Sequence, residues 1–370
     1  MRHFLFVLFF ACVAPALAAP VAVDSPHWQF EGAEKQVVDY QGKRALYLKG
    51  MNAKQADANF DTGVIEFDML IPSAAQSFPG IYFRGLDDNN YEHFYLRPHQ
   101  NGRPDANQYT PVINGVTGWQ IYSQYNGQMT YRLNAWFHVR LEIAEDSARI
   151  YVDSPSQPAL VVHDLKRDRH AGFVTIKGSL GGAYFANIEI QAGSPDAAAP
   201  APAADLPDGL VRAWSVSAAM AEADAFAAAR ANRLNAVSWT NLAVETNGIA
   251  NLARVAVRTD ETPTVLTRLS LRADQTRTVA MRFGFSDRVQ VYVNGTLLYA
   301  GDDTQNSRDY RFLGTVGLYD TLQLPLRRGD NDVVFAVSEG GGGNAVGGGG
   351  WAAVAAFPDM TGLTLLHTEK

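Results

Sequence analysis

The sequence is poor in several things at once. It has 370 residues and a single cysteine, Cys12, which lies in the first apolar stretch. A chain cut after that stretch has no thiol. That excludes a disulfide, a cysteine-based zinc site and a cysteine nucleophile. Its stability must come from packing. Histidines number only 8 and are scattered, with no His-Glu-x-x-His and no histidine pair at metal spacing. Basic surplus is also missing. Lys and Arg total 31 against 38 Asp and Glu, a net charge of −7, which leaves no basic footprint for nucleic acid. After the start, no apolar run is long enough to cross a bilayer, which takes about 20 residues.

The chain opens MRHFLFVLFFACVAPALAAP. A positive Arg2, a Phe/Leu/Val run and the small-x-small triplet Ala16-Leu17-Ala18 read as a secretory signal over residues 1–18. The expected location is therefore secreted or periplasmic. Phe10 and Ala11 make a poor lipid-attachment box before Cys12. Residues 193–208, GSPDAAAPAPAADLPD, have little to bury and read as a semi-extended linker, within 192–209. They separate a unit over 24–191 from a second over 210–358, with a tail over 359–370.

Both units read as strands. In Val64–Ile71, Ile65, Phe67, Met69 and Ile71 share one face. Glu66 and Asp68 fall on the other. Asp87-Asp88-Asn89-Asn90 reads as a turn, and Tyr91 to Arg97 returns as a strand. Ala218 to Ala231 reads as a short helix. Asn294-Gly295, between two apolar runs, is a strong hairpin signal. Short strands with turn signals between them predict an all-β protein of two β-sandwich (jelly-roll) domains joined by the Ala/Pro-rich linker.

The phrases GVIEFDMLIP, GIYFRGLDDNNYEHFYLRP and AWFHVRLEIAEDSARIYVD resemble the concanavalin A-like lectin/glucanase superfamily, including laminin G-like modules. The stretch FGFSDRVQVYVNGTLLYAGDD, with LQLPLRRGDNDVVFAVSE after it, looks like the galactose-binding-like jelly roll. These resemblances imply lectin-like sandwiches and carbohydrate as the partner. They say little about chemistry, because folds of this kind host many functions.

Candidate residues follow. Glucanases of the superfamily carry Glu-x-Asp-x-x-Glu on a strand. Here Glu66 and Asp68 are followed by Met69, Leu70 and Ile71, so the acid/nucleophile pair is incomplete. Tyr91, His93, Tyr95 and Arg97 alternate along one strand, with Arg84 on the strand before. Rings cover the apolar face of a sugar, while Arg and His bond its hydroxyls or a carboxylate. Trp119, Tyr122 and Tyr125 add rings if their loop folds back. Asp87, Asp88 and Asn89 form one oxygen cluster suited to calcium. Asp302, Asp303 and Asn306 form another. No Gly-x-Ser-x-Gly elbow occurs. Ser286-Asp287 reads as turn chemistry, with Asp287 also a candidate ligand contact. Trp351, after the glycine run, is either a stacking ring or the anchor of the last strand. The expectation is a carbohydrate-binding protein. The alternatives are a glycoside hydrolase for oxidised or other saccharides, using Glu66, Asp68, His93 and Arg84, and an adhesive scaffold with a protein partner.

Overall fold

The computed structural model describes residues 21–304, 315–340 and 349–366. The signal, Cys12, Asn306 and most of the glycine run lie outside the described residues. The chain is 52% strand and 6% helix.

The first thirteen strands are β1 Trp28–Tyr40, β2 Lys43–Phe60, β3 Gly63–Leu70, β4 Gly80–Asp87, β5 Asn90–Leu96, β6 Asn107–Ile113, β7 Val116–Thr117, β8 Asn126–Gly127, β9 Phe137–Ile143, β10 Ala148–Val152, β11 Leu160–Val162, β12 Gly172–Lys177 and β13 Ala183–Ala192. They form one antiparallel sheet in the order β11-β10-β9-β3-β13-β2-β12-β4-β5-β6-β7, with β1 on β2 and β8 on β6. Strand twist lets such a long sheet curl over on itself. The fold-over runs through β2, 18 residues long. Its Leu46–Leu48 end pairs with β13, and its Asn52–Phe60 end pairs with β12. The two layers close on a common core. Ile65, Phe67 and Met69 of β3 and Val139 and Leu141 of β9 meet Ile81 and Phe83 of β4, Phe94 and Leu96 of β5, and Val174 and Ile176 of β12. Period-two alternation sends the intervening side chains to the two outer faces.

The second half has β14 Ala213–Ser217, the helix α1 Glu222–Arg230, and β15 Trp239–Ala243, β16 Ala250–Asn251, β17 Thr264–Ala273, β18 Arg277–Ser286, β19 Arg288–Val293, β20 Thr296–Asp302, β21 Asp320–Leu326, β22 Gly329–Ser338, β23 Ala352–Ala356 and β24 Leu363–Leu366. A seven-stranded sheet, β15-β14-β17-β22-β19-β20 with β24 on β17, faces a four-stranded one, β16-β23-β18-β21. Trp214, Met281, Phe283, Phe285, Phe335 and Trp351 fill the space between. Asn294 and Gly295 take φ of 50° and 84° in the β19–β20 turn, as a twisted two-residue hairpin requires. The helix falls within the alanine-rich stretch, and Ala225 and Ala229 pack it onto Tyr292, Val334 and Ala336.

The alanine/proline segment lies along the first sandwich. Arg149 donates to the carbonyls of Asp196 and Ala197 at 2.7 and 2.8 Å. The two halves also meet directly. The Gln120 N–H donates to Gly349 O at 2.7 Å, and the Val316 N–H to Gln120 O at 2.9 Å. Asn114 and Asn247 bond the carbonyls of Ala253 and Ile121 at 2.8 and 2.7 Å.

Candidate functional site

The outer face of the β12-β4-β5-β6 layer carries a file of rings. Tyr91, His93 and Tyr95 alternate with the core residues Glu92, Phe94 and Leu96 along β5. Tyr82 of β4 stands opposite His93. The Tyr82 ring lies 4.1 Å from Tyr91 and 4.6 Å from His93. His93 lies 4.6 Å from Tyr95, and Phe78 closes the file at 5.7 Å. Gly80 faces Tyr95 on one side and Lys177 on the other. A Cβ there would come 2.1 Å from Phe94 O, so only glycine lets the strands approach.

Beside the rings opens a cleft of about 90 Å³, lined by Glu31, Asn52, Lys54, Tyr82, Asp88, Tyr91, Phe173 and Thr175. Lys54 sits 4.0 Å over the Phe173 ring and bonds Asp88 at 3.1 Å. Lys177 lies 5.4 Å from the Tyr82 ring. Burial pulls its ammonium down to about 8, so it stays charged at neutral pH. Burial, reinforced by Lys177, holds His93 well below the usual imidazole value, so the ring is neutral. His93 Nε2 and Thr175 Oγ1 are buried with no hydrogen-bond partner among the described residues. Tyr95 donates its O–H to Gln108, and Gln108 in turn donates to Asn126. Arg97, at the end of the file, pairs with Asp105.

Several predicted residues are not in this face. Arg84 turns away from the rings, with φ of 49°. Its guanidinium donates to Asp61 O at 2.7 Å, Glu145 O at 2.9 Å and Ala144 O at 2.6 Å. It staples β4 to the turn after β9, and at 1% exposure it is not presented to a ligand in the groove. Tyr122 folds toward the second half instead, and Tyr125 packs within the first. The Tyr122 O–H donates to Glu245 at 3.1 Å and accepts from Asn251 at 3.0 Å. Tyr125 is buried beside Tyr109, ring centroids 5.4 Å apart. Trp119 is half-buried, and the Cβ that Gly349 lacks would meet its ring at 2.3 Å. Trp351 is fully buried, its indole N–H bonded to Val337 O at 3.0 Å, so it anchors the last strands and is no surface ring. Asp287 is buried too. It accepts from Ser286 Oγ at 2.8 Å and the Gly340 N–H at 2.9 Å, and burial raises its carboxyl.

Glu66 and Asp68 lie on the outer face of the opposite layer, across the core from His93. The hydrolase set of Glu66, Asp68, His93 and Arg84 is therefore split by the sandwich and cannot act on one bond. Around Asp68, His138 approaches Oδ1 at 3.0 Å, Asn187 donates to Oδ2 at 2.6 Å and Lys43 donates to the same oxygen at 2.5 Å. Burial raises the Asp68 carboxyl. Those three hydrogen bonds outweigh burial and bring it down to about 2, which makes it no proton donor at neutral pH.

The oxygen clusters are spent on their own turns. Asp87 accepts from the Asn89 N–H at 2.8 Å and from Asn90 at 3.0 Å, while Asp88 takes Lys54. Asp302 caps Thr304 at 2.9 Å, and Asp303 is buried. Among the described residues, no group of three or more His, Cys, Asp or Glu could hold a metal ion.

Sequence reasoning missed Tyr82, Phe173, Thr175 and Lys177. The signal was present. In GFVTIK, Phe173, Thr175 and Lys177 alternate with the core residues Val174 and Ile176. Only the pairing order puts that strand beside β4 and hence beside the rings.

Fold and site together define an all-β protein with an aromatic, polar groove on the outer face of its first sandwich. No protein-family model matches the chain, and a search of curated proteins gave no match. Solved structures do resemble it. A carbohydrate binding module, CBM66, from Bacillus subtilis is 14% identical with a TM-score of 0.32, over 45% of this chain and 95% of its own. The galectin LEC-6 from Caenorhabditis elegans is 12% identical with a TM-score of 0.28, over 41% and 92%. A Bacillus licheniformis beta-glucanase is 11% identical with a TM-score of 0.32, over 44% and 91%.

Proposed function

We propose that this chain binds carbohydrate in the groove of its first sandwich. The observation that carries the reading is the file Tyr91, Tyr82, His93 and Tyr95, set on the outer side of a sheet whose other side is already a filled core, with Tyr91 its partly exposed end. Ring faces suit the C–H surface of a pyranose, and the polar atoms among them suit its hydroxyls. The rings of β4 and β5 are buried by one another, so they are held in place before any ligand arrives. Such preorganisation lowers the entropy cost of binding. The signal-like start supports a place outside the cytoplasm.

The second half, with its galactose-binding-like phrases, docks on the first through Gln120, Tyr122 and Glu245 and leaves the groove face uncovered by those contacts. A glycan array with the purified full chain, followed by calorimetry on the hits, tests the proposal. Binding that weakens in Tyr91→Ala supports it. A chain that binds no glycan, or binds one equally well without Tyr91, overturns it.

A further inference from the structure

The groove holds a charge and two polar atoms that the described residues leave unanswered. Lys177 projects from β12, with Asn52 of β2 and Gly80 of β4 beside it in register. Of the three cations on this face, Lys54 has its carboxylate, Asp88 at 3.1 Å, and Arg97 has Asp105. Lys177 has none among the described residues, and burial alone accounts for the fall of its ammonium. The other charged group on the cleft is Glu31, which is exposed and sits out on β1.

Two further atoms wait beside it. His93 and Thr175 are 5% and 3% exposed. Their Nε2 and Oγ1 have no partner among the described residues. Both residues flank Tyr82 in register, His93 from β5 and Thr175 from β12. A buried polar atom without a partner costs free energy, and an unpaired ammonium costs more. Three such groups on one small patch are a mould for something that answers all of them. A sugar hydroxyl would serve the imidazole and the threonine. It would leave the ammonium without a counter-charge. A carboxylate accepts from Lys177 and has a second oxygen free for the N–H of the neutral His93 or the O–H of Thr175.

We infer that the groove selects an acidic sugar, a uronate whose carboxylate pairs with Lys177 while His93 and Thr175 bond its remaining oxygens. This rests on the carbohydrate-binding reading and adds the ligand's charge to it. The C–H face of the sugar lies along Tyr82 and Tyr91, and the carboxylate points toward Gly80, where no side chain stands between Lys177 and Tyr95.

The test uses the full chain, calorimetry, and oligomers of galacturonate, glucuronate and mannuronate, each beside its carboxyl-reduced counterpart. At least one uronate is expected to bind about tenfold more tightly than its reduced form, the scale of a charge-assisted hydrogen bond. Lys177→Met, matched in length and free of charge, should erase that preference. Lys177→Arg should retain part of it. Thermal melting confirms that each variant folds, and Lys177→Gln serves if the methionine variant does not. Equal affinity for uronate and reduced sugar overturns the inference, as does a preference that survives Lys177→Met. In those cases a loss of binding in Tyr91→Ala would keep the groove itself. A sulfated glucan preferred over every uronate would overturn the carboxylate assignment. No binding to any sugar defeats both readings.

Discussion

The His93 imidazole meets the Tyr82 ring edge-on, centroids 4.6 Å apart and planes at 83°, with its Nε2 buried and unbonded. That contact joins two strands at the centre of the groove. Burial, then the nearby Lys177, disfavours its charged form. A histidine held below its unfolded value of about 6.5 binds fewer protons folded than unfolded. Folding stability should therefore fall as pH drops below 6.5. Urea melts of the chain from pH 7.5 to 5, compared with His93→Asn, check this. The variant should lose the His93 share of the slope in that window, leaving the shares of His99 and His138.

Tyr91 is the half-buried end of the ring file, so its removal should cost binding more than folding. Tyr91→Ala is expected to weaken glycan affinity about three- to tenfold, the scale of a ring contact. Its melting temperature should stay within a few degrees. Calorimetry beside a thermal scan separates the two effects.

Arg84 is a structural arginine. Its three carbonyl acceptors belong to the β2–β3 and β9–β10 turns, at the paired ends of β3 and β9, which it ties to β4. Arg84→Met strands those buried oxygens and leaves the buried Glu92 with one cation fewer nearby. A loss of about 3–5 kcal/mol is expected. Denaturant unfolding measures it, and a loss under 1 kcal/mol would contradict the role.

The Asp68 cluster gives a second pH signature with two opposite signs. Asp68 is held down to about 2, so its contribution is full above its unfolded value of about 3.8 and is lost as pH falls toward 2. The depression corresponds to about 2 kcal/mol. Hydrogen bonding to Asp68 raises His138. Its contribution is full below about 6.5 and fades as pH rises through the folded value. Asp68→Asn should flatten both limbs of the stability profile. A variant with wild-type slopes would show that the cluster is not coupled to folding.

Glu245 joins the halves. It accepts from Tyr122 at 3.1 Å, pairs with Arg254, and lies 3.8 Å from the buried Lys166 ammonium. Glu245→Ala strips Tyr122 and Arg254 of their shared acceptor, while Lys166 keeps Asp164, at a cost of about 1–3 kcal/mol. Calorimetric unfolding should change from a single cooperative transition to two. A single transition at the wild-type temperature would place the coupling elsewhere.

Much of the fold was legible before any coordinates. Ile65, Phe67 and Met69 do face the core, and Glu66 and Asp68 do face out, because a strand's period of two leaves no other choice. Asn294-Gly295 turns where the sequence said it would, because both residues accept positive φ. Tyr91, His93 and Tyr95 share a face for the same reason as β3.

What tertiary structure alone decided is which strands lie side by side and what reaches across. Lys177 is 84 residues after His93 and becomes its neighbour only because β12 pairs between β2 and β4. Arg84 looked like part of the ring face, yet a left-handed backbone turn sent it through to the other layer. Tyr122 looked free to cover the groove, yet Glu245 and Asn251, more than a hundred residues later, held it at the junction. Local alternation and turn chemistry are written in neighbouring residues. Pairing order and long-range polar partners depend on how the whole chain closes, and no short stretch of sequence contains that.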